Sequence, residues 1–397
     1  MPRFEPFQAL RYRSSTELNA VCSPPYDVLS DADRMALASK HQNNIVHIDM
    51  PLAPSGNAYE HAASVLTQWI NDGVMLRDDV PSFTLYRMQF TDSTGKPRNV
   101  VGVIGALEVV DEGAGGVLPH ERTTPKAKTD RLELTRATDS NLSPVWGLSL
   151  ASGLSQLLNE PGEPVGSVTD DIGVIHSVER VSDDARIAAI SSAISSHPVV
   201  IADGHHRYAI SRTYRDETRE RLGSKSSGAE LTMTYVNELI DEQLSVAAIH
   251  RLYEGISYKD LAAALSPFFT ITDADPIGPT TLSQMHDRSS LCLVAKTGRT
   301  HWLTPISSKF TGVRNLDSAY LEHALSNVQH EVRYQHGVSE VQHELQTSDA
   351  TAAILIRPVS VAEIQRTANE GLLMPPKSTF FTPKLRTGFV LREMKTR

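Results

Sequence analysis

The sequence predicts a mixed α/β protein, and three observations carry that reading. Amphipathic helical stretches alternate with short apolar runs, as in helices packed against a sheet. The apolar runs do not form the continuous all-apolar series of a doubly wound parallel sheet, so strands of mixed direction are expected. At 397 residues, with 40% hydrophobic and 21% charged residues, the chain has a globular composition and the length for two or three domains.

Taken in order, Tyr59 to Asn71 places Ala62, Ala63, Leu66, Trp69 and Ile70 on one helical face, and Asp72-Gly73 ends the helix. Phe83 to Phe90 and Asn99 to Val110 read as strands joined by a hairpin over Asp92 to Pro97. Gly113 to Gly116 loosens the chain. Asp130 to Thr138 reads as a helix, Val145 to Leu150 and Gly173 to Val178 as strands, and Glu160 to Gly166 as a Gly/Pro-rich connection between them. Ser182 to Ser196 is a helix feeding an apolar strand. Leu231 to Leu239 and Leu244 to Leu252 are strands, followed by a helix at Tyr258 to Leu265 and strands at Phe268 to Ile271, Ser290 to Ala295 and Thr300 to Leu303. Helices at Leu316 to Leu325 and Val361 to Glu370 precede a proline-bearing segment, Gly371 to Phe381. The segments expected are an N-terminal α/β segment at 1–115, a phosphate-binding core at 116–245 and a C-terminal α+β domain at 246–397.

Charge and composition exclude several classes. A net charge of −9 argues against a nucleic-acid surface, which needs a basic face. Cys22 and Cys292 stand far apart without zinc-ligand spacing, so no disulfide framework or structural zinc is indicated. The N-terminus lacks the apolar core of a signal peptide, and no run approaches the ~20 apolar residues of a membrane helix. A cytoplasmic protein with no membrane partner is expected.

The most informative stretch is Val199-Val200-Ile201-Ala202-Asp203-Gly204-His205-His206-Arg207-Tyr208. Its β-branched residues predict a buried strand, Gly204 permits a tight turn, and the run from His206 to about Arg221 continues as a helix. A helix N-terminus at such a turn favours an anion, and Arg207 can add a bidentate fork to a phosphate. Asp203 suits either Mg²⁺, which prefers hard oxygen ligands, or a helix N-cap. His205 and His206 can donate to phosphate oxygens.

Asp203-Gly204-His205-His206-Arg207-Tyr208 resembles the signature of the ParB/sulfiredoxin-like superfamily, and within it the free serine kinases, which phosphorylate L-serine using ADP or ATP. A wider series resembles a bacterial and archaeal family of uncharacterised function. It comprises Pro24-Pro25-Tyr26-Asp27-Val28, His120-Glu121-Arg122-Thr123, Asp130-Arg131-Leu132, Asn141-Leu142-Ser143-Pro144, the histidine motif and Met374-Pro375-Pro376-Lys377-Ser378-Thr379. The resemblance implies a ParB/sulfiredoxin-like nucleotide-binding core with further N- and C-terminal α/β segments, and a kinase for a small hydroxylated metabolite, with free L-serine leading. It implies Glu121 as general base with Asp203 and His206 in the catalytic set, and ADP or ATP with Mg²⁺ on Asp203. The phosphate set is then Gly204, His205, His206 and Arg207 with Lys377, Ser378 and Thr379. Tyr26, Asp27, His120, Arg131 and Asn141 fall to the substrate side. The expected partners are nucleotide and a small-molecule substrate, and a homodimer is compatible with the sequence.

Each assignment has a plainer alternative. Glu121 can be a surface carboxylate paired with Arg122 or Lys126, the Lys377 to Lys384 segment a solvated arm, and Tyr26-Asp27 an ordinary turn. The function alternative is a regulator that binds a nucleotide or phosphometabolite without turnover.

Overall fold

A computed structural model describes residues 1–53, 56–92, 95–121 and 128–395, in which helices and sheets are mixed. The chain divides into two compact units, Met1–Ser245 with Pro383–Arg397, and Val246–Thr382.

The first unit is built on a nine-stranded sheet. From one edge its strands are Val117–Pro119, Val199–Asp203, Val145–Ser149, Leu231–Glu238, Pro97–Glu108, Phe83–Thr91, Ile175–Val181 and Glu163–Thr169, with Phe4–Glu5 also pairing to Pro97–Glu108. Two of these pairings are parallel, Val199–Asp203 with Val117–Pro119 and Leu231–Glu238 with Val145–Ser149; the others are antiparallel. Alternate strand residues such as Val101, Val103, Val199 and Ile201 share one core with Leu154, Leu158, Ile190, Ile194 and Tyr208 from three helices. That is the period of two expected for one face of a pleated sheet.

The sequence reading placed a boundary between residues 115 and 116. In the structure, strands on both sides of Gly113 to Gly116 belong to this one sheet. The stretch read as a connection, Glu160 to Gly166, contains the start of strand Glu163–Thr169. Pro164 is tolerated there because the strand forms a sheet edge, where a missing N–H costs least. The C-terminal segment returns to the first unit: Leu391 exchanges backbone hydrogen bonds with Leu10, Thr387 does so with Ser23, and Arg392 pairs with Asn141.

The second unit is an antiparallel six-stranded sheet in the order Phe269–Asp273, Thr300–Pro305, Leu291–Ala295, Ala352–Leu355, Ile249–Glu254, Glu331–His336. Its strands serve two cores. Leu291 and Leu293 pack with Leu261, Leu265, Leu321 and Leu325, whereas Cys292 and Val294 pack with Met285, Val341 and Leu345. No described helix is long and apolar enough to cross a membrane.

An aromatic layer stiffens the first sheet. Tyr235, fully buried, meets Trp146 with ring centroids 5.3 Å apart and Tyr86 at 5.8 Å. Gly102 makes this layer fit, since a Cβ there would lie 2.3 Å from two carbons of the Tyr235 ring. Gly102→Ala should therefore destabilise the protein by about 1–3 kcal/mol, the usual range for overpacking. Chemical denaturation reads the effect, and an unshifted midpoint would show that the ring yields freely.

Candidate functional site

The motif folds as its residues dictate. Val199, Val200 and Ile201 are buried in the strand, and Gly204 adopts φ 82°, a left-handed conformation that favours glycine. The helix His205–Leu222 follows, and Gly204 offers it no side-chain cap. The first N–H groups of a helix lack intrahelical acceptors, so its positive end faces the turn. Tyr208 fastens the helix to the end of a neighbouring strand: its hydroxyl donates to Glu108 O at 3.0 Å and accepts from Val110 N at 2.9 Å. Arg215, 2% exposed, donates to Val109 O and Asp111 further along.

Glu121 and Asp203 are far apart in sequence, but the sheet removes that distance. Pro119 pairs with Ile201 in the parallel ladder, so each acid stands two residues past the same paired position. His120 is fully buried, and its Nδ1 donates to Ile201 O at 2.5 Å, which leaves Nε2 as the unprotonated nitrogen of the neutral ring. Its ring centroid lies 5.0 Å from that of His205, and Nε2 lies 3.9 Å from the Glu121 carboxylate. His120, Glu121, Asp203, Gly204, His205 and Arg207 are thus gathered at one end of the sheet, and His206 is the second residue of the helix.

Asp203 is the electrostatic centre. Its Oδ2 accepts from Arg207 Nη2 at 3.1 Å and lies 3.3 Å from Lys384 Nζ. Burial alone would raise the Asp203 carboxyl, but Lys384 and Arg207 outweigh it and hold it well below the usual carboxylate range. Burial would likewise lower Arg207, and Asp203, Asp27, Tyr26 and Asp49 reverse this, raising it. The guanidinium does not stand open as the sequence suggested. Nη1 donates to Pro144 O and Nη2 to Asp203, and Arg207 folds so closely over Gly204 that a Cβ there would meet Nε at 2.9 Å. Among the described residues no group of three or more His, Cys, Asp or Glu side chains is placed to hold a metal ion.

A small cavity of about 50 Å³ adjoins Arg207, lined among others by Tyr26, Asp49, Arg131 and Asn141. The Arg131 guanidinium lies over the Tyr26 ring, 3.6 Å from its centroid, and Nη1 donates to Asp49 Oδ1 at 3.0 Å. Asn141 is committed elsewhere: its Oδ1 accepts from Met233 N at 3.0 Å and Arg392 Nη1 at 3.2 Å. Asp27 is exposed, yet close enough to Arg207 and Asp49 to act on both charges.

Lys377, Ser378 and Thr379 belong to the second unit. Lys377 is exposed at φ 56°, and the buried Ser378 hydroxyl donates to Pro375 O at 2.7 Å and lies 3.0 Å from Ser318 Oγ. Arg122, Thr123 and Lys126 lie outside the described residues. Sequence reasoning did not single out two residues of the site. Lys384 was visible only as part of a basic segment, and Asp49 sits at the end of a four-residue helix, Val46–Asp49, that carries no pattern.

The site therefore defines an α/β protein with a strand-turn-helix corner at its sheet end, flanked by a buried histidine, an acid and a lysine. Residues 4–319 match the family described as a protein of unknown function (DUF1015), and the chain belongs to that family. No curated protein matches the sequence. Solved structures with a similar outline include a conserved hypothetical protein from Pyrococcus furiosus, 11% identical, covering 71% of this chain and 92% of its own at a TM-score of 0.38. A free serine kinase in complex with AMP is 11% identical, covering 70% and 88% at 0.39. SbnI with a C-terminal truncation, from Staphylococcus aureus, is 13% identical, covering 73% and 87% at 0.40. Likeness at this level assigns no residue and no activity to this chain.

Burial holds His120 down at about 4, against the hydrogen bond to Ile201 and the field of Asp203. The unfolded chain, with histidine near 6.5, binds the extra proton first, so this group's contribution to stability falls as pH drops from 6.5 through 4. Histidine-labelled NMR should show one ring, lost in His120→Gln, that stays neutral until about pH 4. Titration of that ring near 6.5 would contradict its buried neutral state.

Proposed function

We propose that the protein is an ADP- or ATP-dependent phosphotransferase acting on a small hydroxylated metabolite, with free L-serine the leading acceptor and a ParB/sulfiredoxin-like core carrying the reaction. One observation carries the reading: the parallel pairing that sets His120 and Glu121 beside the Asp203-Gly204 turn at a helix N-terminus. Phosphoryl transfer to an alcohol needs a proton acceptor, positive groups on the phosphate oxygens and tight positioning. Glu121 is the proton acceptor in this reading. The helix N-terminus, His205, His206 and Lys384 bind phosphate, while Arg207, held by Pro144 and Asp203, orients the turn and supplies its remaining N–H groups.

Mg²⁺ would accompany the nucleotide. With one carboxylate at the turn and no cluster of protein ligands, the ion would take most of its oxygens from phosphates and water, as Mg²⁺ commonly does. Asp203 would then be the protein's ligand, exchanging its contact with Lys384 for the ion. The regulator reading draws on a different observation: Asp203 and Arg207 already neutralise each other. Such a closed pair suits a protein that senses a phosphorylated ligand by opening.

Calorimetry with millimolar ADP or ATP, with and without Mg²⁺, should show binding. Binding of neither nucleotide under either condition would contradict both readings of a nucleotide site. Gly204→Ala imposes a side chain at positive φ and against Arg207, and should weaken ADP at least about tenfold, or about 1.4 kcal/mol. An unchanged affinity would move the phosphate away from this turn. Glu121→Gln should lower formation of phosphoserine about 10²–10⁴-fold while leaving ADP affinity nearly unchanged, the usual size of a general-base contribution. Wild-type turnover in that variant would remove Glu121 from the mechanism. A wild-type protein that binds ADP but phosphorylates no hydroxylated acceptor would favour the regulator.

A further inference from the structure

We propose that the cavity beside Arg207 takes the ammonium group of an amino alcohol, with Asp49 as the carboxylate that receives it. The inference deepens the phosphotransferase reading and rests on it for the identity of the acceptor.

Asp49 is 2% exposed and lines the cavity. Arg131 Nη1 occupies its Oδ1 at 3.0 Å and its main-chain oxygen at 2.5 Å. Its Oδ2 is buried and receives no hydrogen bond from any described residue. A buried carboxylate oxygen without a donor is costly, and native proteins seldom leave one unsatisfied. Three neighbouring polar side chains are held by other contacts: Arg131 Nη1 donates to Asp49 Oδ1 while the guanidinium stacks on Tyr26, Arg207 donates to Pro144 and Asp203, and Asn141 Oδ1 accepts from Met233 and Arg392. In this proposal the donor to Asp49 Oδ2 is a ligand group, since no described residue supplies one.

The size and charge of the site narrow that donor. With about 50 Å³ of space the cavity suits a small group, so it would hold one end of the ligand. Ammonium brings three donors and a charge opposite to that of Asp49, which makes a stronger bond than a neutral hydroxyl does. Asp27, Asp49 and Asp203 already act on Arg207, and Arg131, Arg207 and Lys384 balance them. A zwitterion enters this balanced field without altering its net charge. Arg207 is shared by the cavity and the Asp203 turn, so a ligand anchored at Asp49 would extend its hydroxyl end towards the phosphate site.

The test uses calorimetry on the full chain with ADP bound, comparing L-serine with 3-hydroxypropionate, which has the same skeleton without the ammonium group. L-Serine should bind at least tenfold more tightly, and Asp49→Asn should remove most of that advantage while ADP affinity stays as in the wild type. Equal binding of the two ligands, binding of neither, or unchanged serine affinity in Asp49→Asn would overturn the proposal and leave a structural water as the occupant. If the variant does not fold, the two wild-type affinities decide alone. If ADP does not bind at all, the phosphotransferase reading fails separately. Ethanolamine then probes the nucleotide-free protein: binding more than tenfold tighter than that of ethylene glycol supports the cavity assignment, and no difference overturns it.

Discussion

Three paired residues at the edge of a sheet hold the site together. Val117–Pro119 runs parallel to Val199–Asp203, and that short ladder determines which distant residues meet. Beyond it, His120 reaches back to Ile201 O, a bond that fixes both the ring and the local course of the chain. Because the ring is neutral and fully buried, its unprotonated Nε2 is held near Glu121 and Asp203 without adding a cation to the cluster. Remove the ladder, and neither the acid nor the histidine has a reason to stand near the turn.

The second organising feature is a shared guanidinium. Arg207 is bonded to Asp203 and the Pro144 carbonyl on one side and lies in the field of Asp27 and Asp49 on the other. Buried charges are stable only when paired and hydrogen-bonded, and here the pairing is distributed over several carboxylates. Lys384 completes the arrangement from the C-terminal segment, which is sewn onto the first unit through Thr387, Leu391 and Arg392. The end of the sheet that carries Asp203 therefore depends on a segment late in the chain.

How much of this the sequence disclosed depended on how local the cause was. The strand, turn and helix from Val199 to Leu222 were legible because a β-branched run, one glycine and a polar helical stretch each act within a few residues. The helix Tyr258–Leu265 was read to the residue, its Ser257 cap and apolar spacing being local as well. The strand Ala352–Leu355, central in the second sheet, passed unread because a run of only four apolar residues, buried on both faces, shows no period. Lys384 became part of the site through chain return, and Asp49 through a short helix; neither event leaves a mark in nearby residues. Arg207, expected to fork onto a phosphate, donates in the structure to Pro144 O and Asp203, contacts that no local pattern announces.

The most direct test is a crystal structure of the protein with ADP and Mg²⁺. The account predicts the diphosphate at the N-terminus of the helix His205–Leu222, in contact with Lys384, and the Glu121 carboxylate facing the terminal phosphate across a space that fits a small alcohol. A nucleotide bound elsewhere, or one at this turn with Glu121 facing away from the phosphates, would contradict it.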